Sequence, residues 1–306
     1  MGTTYNIKIV SALEFDKTAL NSKIDQLLVD VNQAMSTYID DSELSVFNKS
    51  KTSTGTAISP NLERVIKEAI RLGDLSQGKL DVTVGPLVNL WGFGPQQRPE
   101  TIPTDSEIAE VRKQVGLDKL VLSSGMLTKK VPDLYVDLST IAKGYGVDVV
   151  AELLEREGYN NYLVEIGGEM RLKGVKHSGD GWTVAIEKPV SFERQIYHLI
   201  EPKDNAVATS GDYRNYYESD GQRYSHIVDP DSGKPINHKL VSVTVIHPSS
   251  MTADGLSTAL MVMGEKQAFE FAEQHQLAAY LIFKTEDGFD AKATSKFEPY
   301  LSKKRG

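Results

Sequence analysis

The sequence predicts an α+β fold, with mixed, largely antiparallel sheets and flanking helices. Three observations lead there. The second half of the chain alternates strand-like and helix-like segments. Several strands are joined by links short enough for hairpins. No repeat, low-complexity tract or flexible linker interrupts the pattern. Hairpin links pair strands antiparallel, which separates this chain from a simple doubly wound parallel sheet. One unit spanning residues 1–306 is expected, in one lobe or two, with no boundary marked in the sequence.

Residues 4–10 alternate and read as the first strand, and Leu20, Ile24, Leu27, Leu28, Val31 and Met35 recur at helical spacing. Ser59-Pro60 starts a second helix, with serine at the N-cap and proline in the first turn. Its buried face is Leu62, Val65, Ile66, Ala69 and Ile70, and Gly78 follows its end. Residues 86–103, rich in Gly, Pro and aromatics, read as a long ordered loop. Thr104 with Glu107 forms a capping-box pattern ahead of Ile108, Val111 and Val115. Residues 134–138 read as a strand, 141–157 as a helix, and 162–166 as a strand closed by Gly167-Gly168. Residues 182–187, 196–201, 206–209 and 240–246 are further strands. Residues 253–263 and 266–275 are helices separated near Gly264, and 279–284 is a late strand.

With 306 residues, 40% hydrophobic and 25% charged, the chain can bury a core without staples. A net charge of −8 argues against a non-specific nucleic-acid binder, which needs a basic face. It does not forbid an anionic ligand, because a bound cation and helix N-termini reverse the field locally. The absence of cysteine excludes disulfides, thiolate catalysis and cysteine metal sites. No run reaches the roughly 18 apolar residues of a membrane helix. The chain opens Met1-Gly2-Thr3-Thr4-Tyr5 without a charged-then-apolar leader, so an exported form would carry its leader outside this sequence.

The chain has no Walker loop, HExxH pair or Gly-x-Ser-x-Gly elbow. Dense polar islands remain. In Val136-Asp137-Leu138-Ser139-Thr140-Ile141-Ala142-Lys143-Gly144-Tyr145, an acid, two hydroxyls and a lysine meet at a helix start, a place suited to phosphate and metal. In Asp254-Gly255-Leu256-Ser257-Thr258, Asp254 and Thr258 are four apart and share a helix face. Two such oxygen clusters suit one Mg²⁺. Each feature has a plainer reading: Gly167-Gly168 a turn, Asp229-Pro230-Asp231-Ser232-Gly233 a tight turn, and His226 a structural histidine. Likewise Tyr38 reads as a half-buried aromatic, Lys143 as a solvated or ion-paired helix residue, and Asp254 as an N-cap worth about 1 kcal/mol. Their joint order carries the functional reading.

That order resembles the ApbE family of flavin transferases across nearly the whole chain. It runs through Met1-Gly2-Thr3, Met35-Ser36-Thr37-Tyr38, Asp81-Val82-Thr83-Val84-Gly85-Pro86-Leu87 and the Asp137 island. It continues through Gly167-Gly168-Glu169, Thr209-Ser210-Gly211, Ser225-His226-Ile227-Val228-Asp229-Pro230 and the Asp254 island. The resemblance implies an ApbE-like two-lobed catalytic unit that cuts FAD, releases AMP and attaches FMN through a phosphoester to a target threonine, with Mg²⁺ required. It implies that Asp254, Thr258 and the backbone carbonyl of Thr140 hold the metal. Ser257 is placed with them, although some relatives carry an acid there. It sets Met1, Tyr38, Lys79, Leu80, Asp81, Asp137, Lys143 and Val228 around FAD, and His226 as the base for the threonine hydroxyl. The implied acceptors are subunits of Na⁺-translocating NADH:quinone reductase and related electron-transfer complexes. The implied location is the periplasmic side of the bacterial inner membrane, lipid-anchored in the full-length protein.

The chemistry is coherent. A pyrophosphate carries about two negative charges that a divalent cation neutralises. A threonine hydroxyl is a poor nucleophile unless an imidazole takes its proton, a contribution of about 10²–10⁴-fold. Two other readings share these motifs. One is a FAD pyrophosphatase, in which water replaces the threonine and FMN and AMP are released. The other is a flavin-binding protein without turnover.

Overall fold

The computed structural model describes residues 2–12, 14–94, 101–190, 195–212, 216–219 and 222–302. Along the chain run β1 (Tyr5–Ile9), α1 (Lys17–Met35), α2 (Glu43–Lys49), β2 (Thr56–Ala57), α3 (Pro60–Leu75), α4 (Gly85–Leu90) and α5 (Asp105–Arg112). There follow β3 (Leu120–Ser123), β4 (Met126–Lys129), α6 (Ala142–Arg156), β5 (Tyr162–Ile166), β6 (Glu169–Lys173), β7 (Val184–Glu187), β8 (Ile196–Ile200) and β9 (Ala206–Gly211). Then come β10 (Tyr216–Ser219), β11 (Gln222–Ser225), β12 (Val228–Asp229), β13 (Lys234–Pro235), β14 (Leu240–His247), α7 (Ser250–Gln274), β15 (Ala278–Thr285) and β16 (Gly288–Ala293). The α+β expectation holds, and every strand pairing among the described residues is antiparallel.

The chain divides into two compact, interleaved units. The first is built from residues 1–29, 143–214 and 238–306. Its centre is a seven-stranded sheet in the order β1-β5-β6-β9-β14-β15-β16. On one face, Leu20, Ile24 and Leu28 of α1 and Val147, Val150, Ala151 and Leu154 of α6 pack on Tyr162, Val164 and Ile166 of β5. The alternation of β5 sends Leu163 to the other face, where the β7–β8 hairpin closes a second core around Trp182, Ile186, Ile200, Tyr280 and Phe297. Strand β14 is buried on both faces and α7 lies along it and β9. The expected break near Gly264 is present: its φ of 77° and ψ of 172° divide α7 into two helical segments.

The second unit comprises residues 30–142 and 215–237. It holds α2 to α5, a three-stranded sheet β2-β4-β3, and the small hairpins β10–β11 and β12–β13. Ser59 caps α3 by accepting the Leu62 N–H, and Thr104 with Glu107 forms the expected capping box on α5. Leu87, Trp91, Ile108, Val115 and Val228 form one of its cores.

Two local expectations are corrected. Residues 86–90, expected within the loop 86–103, belong to α4, because Pro86 fits the first helical turn and Leu87 is buried beneath it. Residues 134–138 pair with no strand. The Asn48 side chain takes the ladder's place: its amide donates to the Val136 carbonyl (2.8 Å) and its oxygen accepts the Val136 N–H (2.9 Å). The Asp137 N–H donates to the Val82 carbonyl at 2.7 Å. Val136 is fully buried, so these groups have no recourse to water. Asn48→Ala should therefore destabilise the protein by about 1–3 kcal/mol, the cost of orphaning buried backbone groups. A urea-unfolding midpoint equal to wild type would refute this account of the segment.

Candidate functional site

In the first unit, three elements bring polar side chains to the start of α6. The turn between β5 and β6 is Gly167-Gly168, with φ of 59° and 104°, the backbone that a tight two-residue hairpin turn requires. This turn is the plainer reading of the glycine pair, and it also sets Glu169 at the head of β6. Glu169 is buried and pairs with Lys143 at 2.5 Å. Its Oε2 is buried with no hydrogen-bond partner among the described residues. From α7, the Asp254 carboxylate accepts the Gly144 N–H at 2.9 Å, capping α6. The helices touch here: a Cβ on Gly144 would lie 2.4 Å from the Ser250 carbonyl oxygen and 2.8 Å from the Asp254 Cβ. Only glycine fits that contact.

Asp254 and Thr258 share a face of α7. Ser210 of β9 joins them, its hydroxyl 2.8 Å from Ser257 Oγ and 3.0 Å from Thr258 Oγ1. Ser257 is fully buried and donates to the Asp254 carbonyl at 2.9 Å, so its proton is committed to the helix while lone pairs remain. The donors are all oxygens. No group of three or more His, Asp or Glu side chains clusters among the described residues. Any cation held here therefore draws on hydroxyls beside the Asp254 carboxylate, a donor set that suits a hard divalent ion.

The charge balance points the same way. Two buried carboxylates face one ammonium. Burial, then the charge of Glu169, pushes the Asp254 carboxyl up to about 8 against the opposing pull of Lys143 and the Gly144 N–H. Burial likewise raises Glu169, with Lys143 opposing. For Lys143 burial is the largest single influence and acts downward, yet Asp254 and Glu169 together hold its ammonium above the ordinary lysine value.

The second unit holds the other sequence-derived residues. Lys79 pairs with Asp229 at 3.0 Å and Asp231 at 2.7 Å. Asp81 accepts the Thr83 N–H at 2.7 Å and the Thr83 hydroxyl at 2.6 Å, and burial raises its pKa. A cavity of about 330 Å³ opens beside this loop, lined in part by Gln77, Gly78, Asp81, Arg112, Asp118 and Asp231. Leu80 and Val228 turn their side chains into the core, leaving only their backbone for a ligand. Tyr38 is 78% exposed, so its ring is not the half-buried aromatic of the plainer reading. Asp137 accepts the Ser139 N–H at 2.9 Å, and Thr140 lies in the turn before α6 with its hydroxyl buried and unpartnered among the described residues. His226 follows β11 and stands edge-on to Phe93, which stacks on Tyr217. Met1 lies outside the described residues.

Sequence reasoning gave no role to Ser210 or Glu169. Both stand in short polar islands next to glycines, and only the strand register shows that they turn toward Thr258 and Lys143.

The family model described as the ApbE family matches residues 1–281. The chain is 56% identical over 304 residues, 99% of its length and 91% of the relative's, to a protein of Vibrio cholerae named FAD:protein FMN transferase. A solved structure described as flavin transferase ApbE from Vibrio cholerae matches with a TM-score of 0.92 at 54% identity, covering 98% of this chain and 96% of that one. A histidine-to-glycine variant of the same protein matches with a TM-score of 0.91 at 55% identity, covering 98% and 97%.

Asp254 makes the stability of the metal-free protein depend on pH. An unfolded aspartate titrates near 3.8 and the folded one near 8. Between those values the fold keeps a proton that the unfolded chain has released. Its stabilisation is complete at the acid end, is lost as pH rises through the folded value, and then levels off. Asp254→Asn, uncharged throughout, should flatten this decline when unfolding is measured with chelator from about pH 5 to about pH 9. Parallel slopes for the two proteins would refute it.

Proposed function

Because the chain belongs to the ApbE family, we propose that it transfers FMN from FAD to a threonine hydroxyl of a target protein, with Mg²⁺ bound at Asp254 and Thr258. The chain is a transferase of the FAD:protein FMN class, as its near-full-length relatives are. The observation that carries the finer reading is the buried carboxylate pair with one lysine, set against the hydroxyls of Ser210, Ser257 and Thr258. Lys143 offsets only one of the two carboxylates, so Asp254 stays ionised only when a further cation is bound beside it.

When bound, Mg²⁺ supplies charge neutralisation for the pyrophosphate and its leaving oxygen. The residues of the chain do the rest. Asp254 and Thr258 fix the metal face of α7, with Ser257 beside them. Lys143, held by Glu169, adds a fixed positive charge. His226 accepts the proton of the threonine hydroxyl as its oxygen bonds to the FMN phosphorus. The bond from that phosphorus to the bridging oxygen breaks, and AMP departs with the electron pair. Tyr38, an exposed aromatic, is suited to stacking on a ring of FAD. That a histidine was replaced in a solved relative supports a role for one in this chemistry.

The acceptors we infer are flavin-carrying subunits of membrane electron-transfer complexes such as Na⁺-translocating NADH:quinone reductase. We place the enzyme on the periplasmic side of the inner membrane, with a lipid anchor on the full-length protein. No helix among the described residues is long and apolar enough to cross a membrane.

Incubation with FAD, Mg²⁺ and a candidate acceptor, followed by mass spectrometry, tests the whole reading: the acceptor should gain FMN on threonine while AMP appears. AMP and FMN released equally well without acceptor would instead make the protein a pyrophosphatase. Asp254→Ala should abolish Mg²⁺-dependent AMP release in folded protein, and Thr258→Val should weaken it less, because a hydroxyl gives the metal less field than a carboxylate. Wild-type release by folded Asp254→Ala would remove the metal assignment.

His226→Ala should bind FAD nearly normally and transfer FMN about 10²–10⁴-fold more slowly. The acid limb that a protonated imidazole imposes on the wild-type profile should be missing from the variant. An unchanged transfer rate eliminates the base role. A loss of FAD affinity with the acid limb retained would make His226 a residue that shapes the site.

A further inference from the structure

Asp148, on α6, is fully buried and takes no part in the chemistry above. All of its lone-pair directions are used at the start of α7. Oδ1 accepts the Ser250 N–H at 2.9 Å and an Arg171 guanidinium N–H at 3.0 Å. Oδ2 accepts the Ser249 hydroxyl at 2.7 Å and the Met251 N–H at 3.0 Å. Ser249 is itself the N-cap of α7, accepting the Thr252 N–H. The arrangement is reciprocal. Asp254, four residues past Ser250, caps the start of α6 at Gly144. Asp148, four residues past Gly144, caps the start of α7 at Ser250. Each helix therefore carries, within its first two turns, the carboxylate that satisfies orphan N–H groups of the other.

Gly144 lets the two backbones touch between these caps. The pair of caps fixes how far α7 is advanced along α6 and how it is rotated, which sets the direction of the second Asp254 oxygen and of the Thr258 hydroxyl. We propose that Asp148 is a positioning residue for the metal-binding face of α7; this rests on the reading of Asp254 and Thr258 as Mg²⁺ ligands. The hydrogen bonds of Asp148 go to the α7 start and Arg171 and not to either ligand side chain. It acts through the helix start, as outer-shell groups elsewhere orient the ligands that bind a metal. The Arg171 guanidinium keeps the buried carboxylate compensated, so the lock costs no uncompensated charge of its own.

A purely stabilising cap would lower the unfolding midpoint and leave the folded protein's metal affinity alone. Positioning changes the affinity. The test is calorimetric titration of Mg²⁺ into wild type, Asp148→Asn, Ser249→Ala and Thr294→Val, each checked for folding by circular dichroism. Asp148→Asn keeps the shape but turns a donor toward the α7 start. Ser249→Ala removes one arm of the lock with a milder loss. Thr294→Val is a control for general destabilisation: it deletes the hydroxyl that bridges the Leu277 carbonyl and the Ala279 N–H, away from both helix starts.

The expected result is a Mg²⁺ dissociation constant raised about 10–100-fold in Asp148→Asn, a smaller rise in Ser249→Ala, and no change in Thr294→Val. A folded Asp148→Asn with wild-type affinity overturns the proposal. If Asp148→Asn does not fold, Ser249→Ala decides in the same way. An equal weakening in Thr294→Val also overturns it, by showing that destabilisation alone suffices. Wild-type protein that takes up no Mg²⁺ removes the metal reading itself, an outcome distinct from the others.

Discussion

Two buried carboxylates share one partly exposed ammonium in the first unit, and much of the structure there serves that imbalance. Burying a charge without a partner is costly enough that an isolated group neutralises instead. Glu169 is compensated by Lys143. Among the described residues Asp254 receives only the Gly144 N–H directly, with Lys143 acting at longer range. The fold thus holds a carboxylate in a place where it stays ionised only when more positive charge is present. The glycine turn before β6, the glycine contact between α6 and α7, and the serine on β9 are the means by which a sheet and two helices hold that condition in place.

Local features were legible in the sequence where they depend on near neighbours. The Ser59 cap, the Thr104–Glu107 capping box, the break at Gly264 and the turn at Gly167-Gly168 all follow from residues within a few positions of one another. So does the i, i+4 face of Asp254 and Thr258. The segment 134–138 failed as a strand for the opposite reason. Its apolar run is real, but its backbone partner is the side chain of Asn48, 88 residues away, and no periodicity reports that. Residues 86–90 were hidden because Gly and Pro signal a loop and also the first turn of a helix. At the site, the residue types were visible and the partnerships were not: Lys143–Glu169, Ser210–Thr258 and Gly144–Asp254 each join distant elements.

Those long separations follow from the chain's path. The first unit is assembled from three segments, and its sheet pairs Tyr5 with Ile166. Asp254 reaches Gly144 across 110 residues. Non-local pairings of this kind are expected to form late, because loop closure costs entropy before the contacts repay it. The reciprocal caps suit such a fold. Neither α6 nor α7 satisfies its own first N–H groups with the carboxylate it carries, so each start is complete only when the two helices meet. A functional surface made this way exists in the assembled unit and not in either helix alone.

The choice of donors also bears on what the site can accept. A cation cage of four or five carboxylates would bind a divalent ion tightly and repel an anionic substrate. Here Lys143 balances Glu169, Asp254 keeps its proton below about pH 8 while no metal is bound, and the remaining donors are neutral hydroxyls. On the proposed reading, a divalent ion displaces that proton and leaves one net positive charge, while a pyrophosphate brings about two negative ones. The site then turns from near neutral to positive with the metal, so an acidic protein of net charge −8 attracts an anion only where and when the ion is bound.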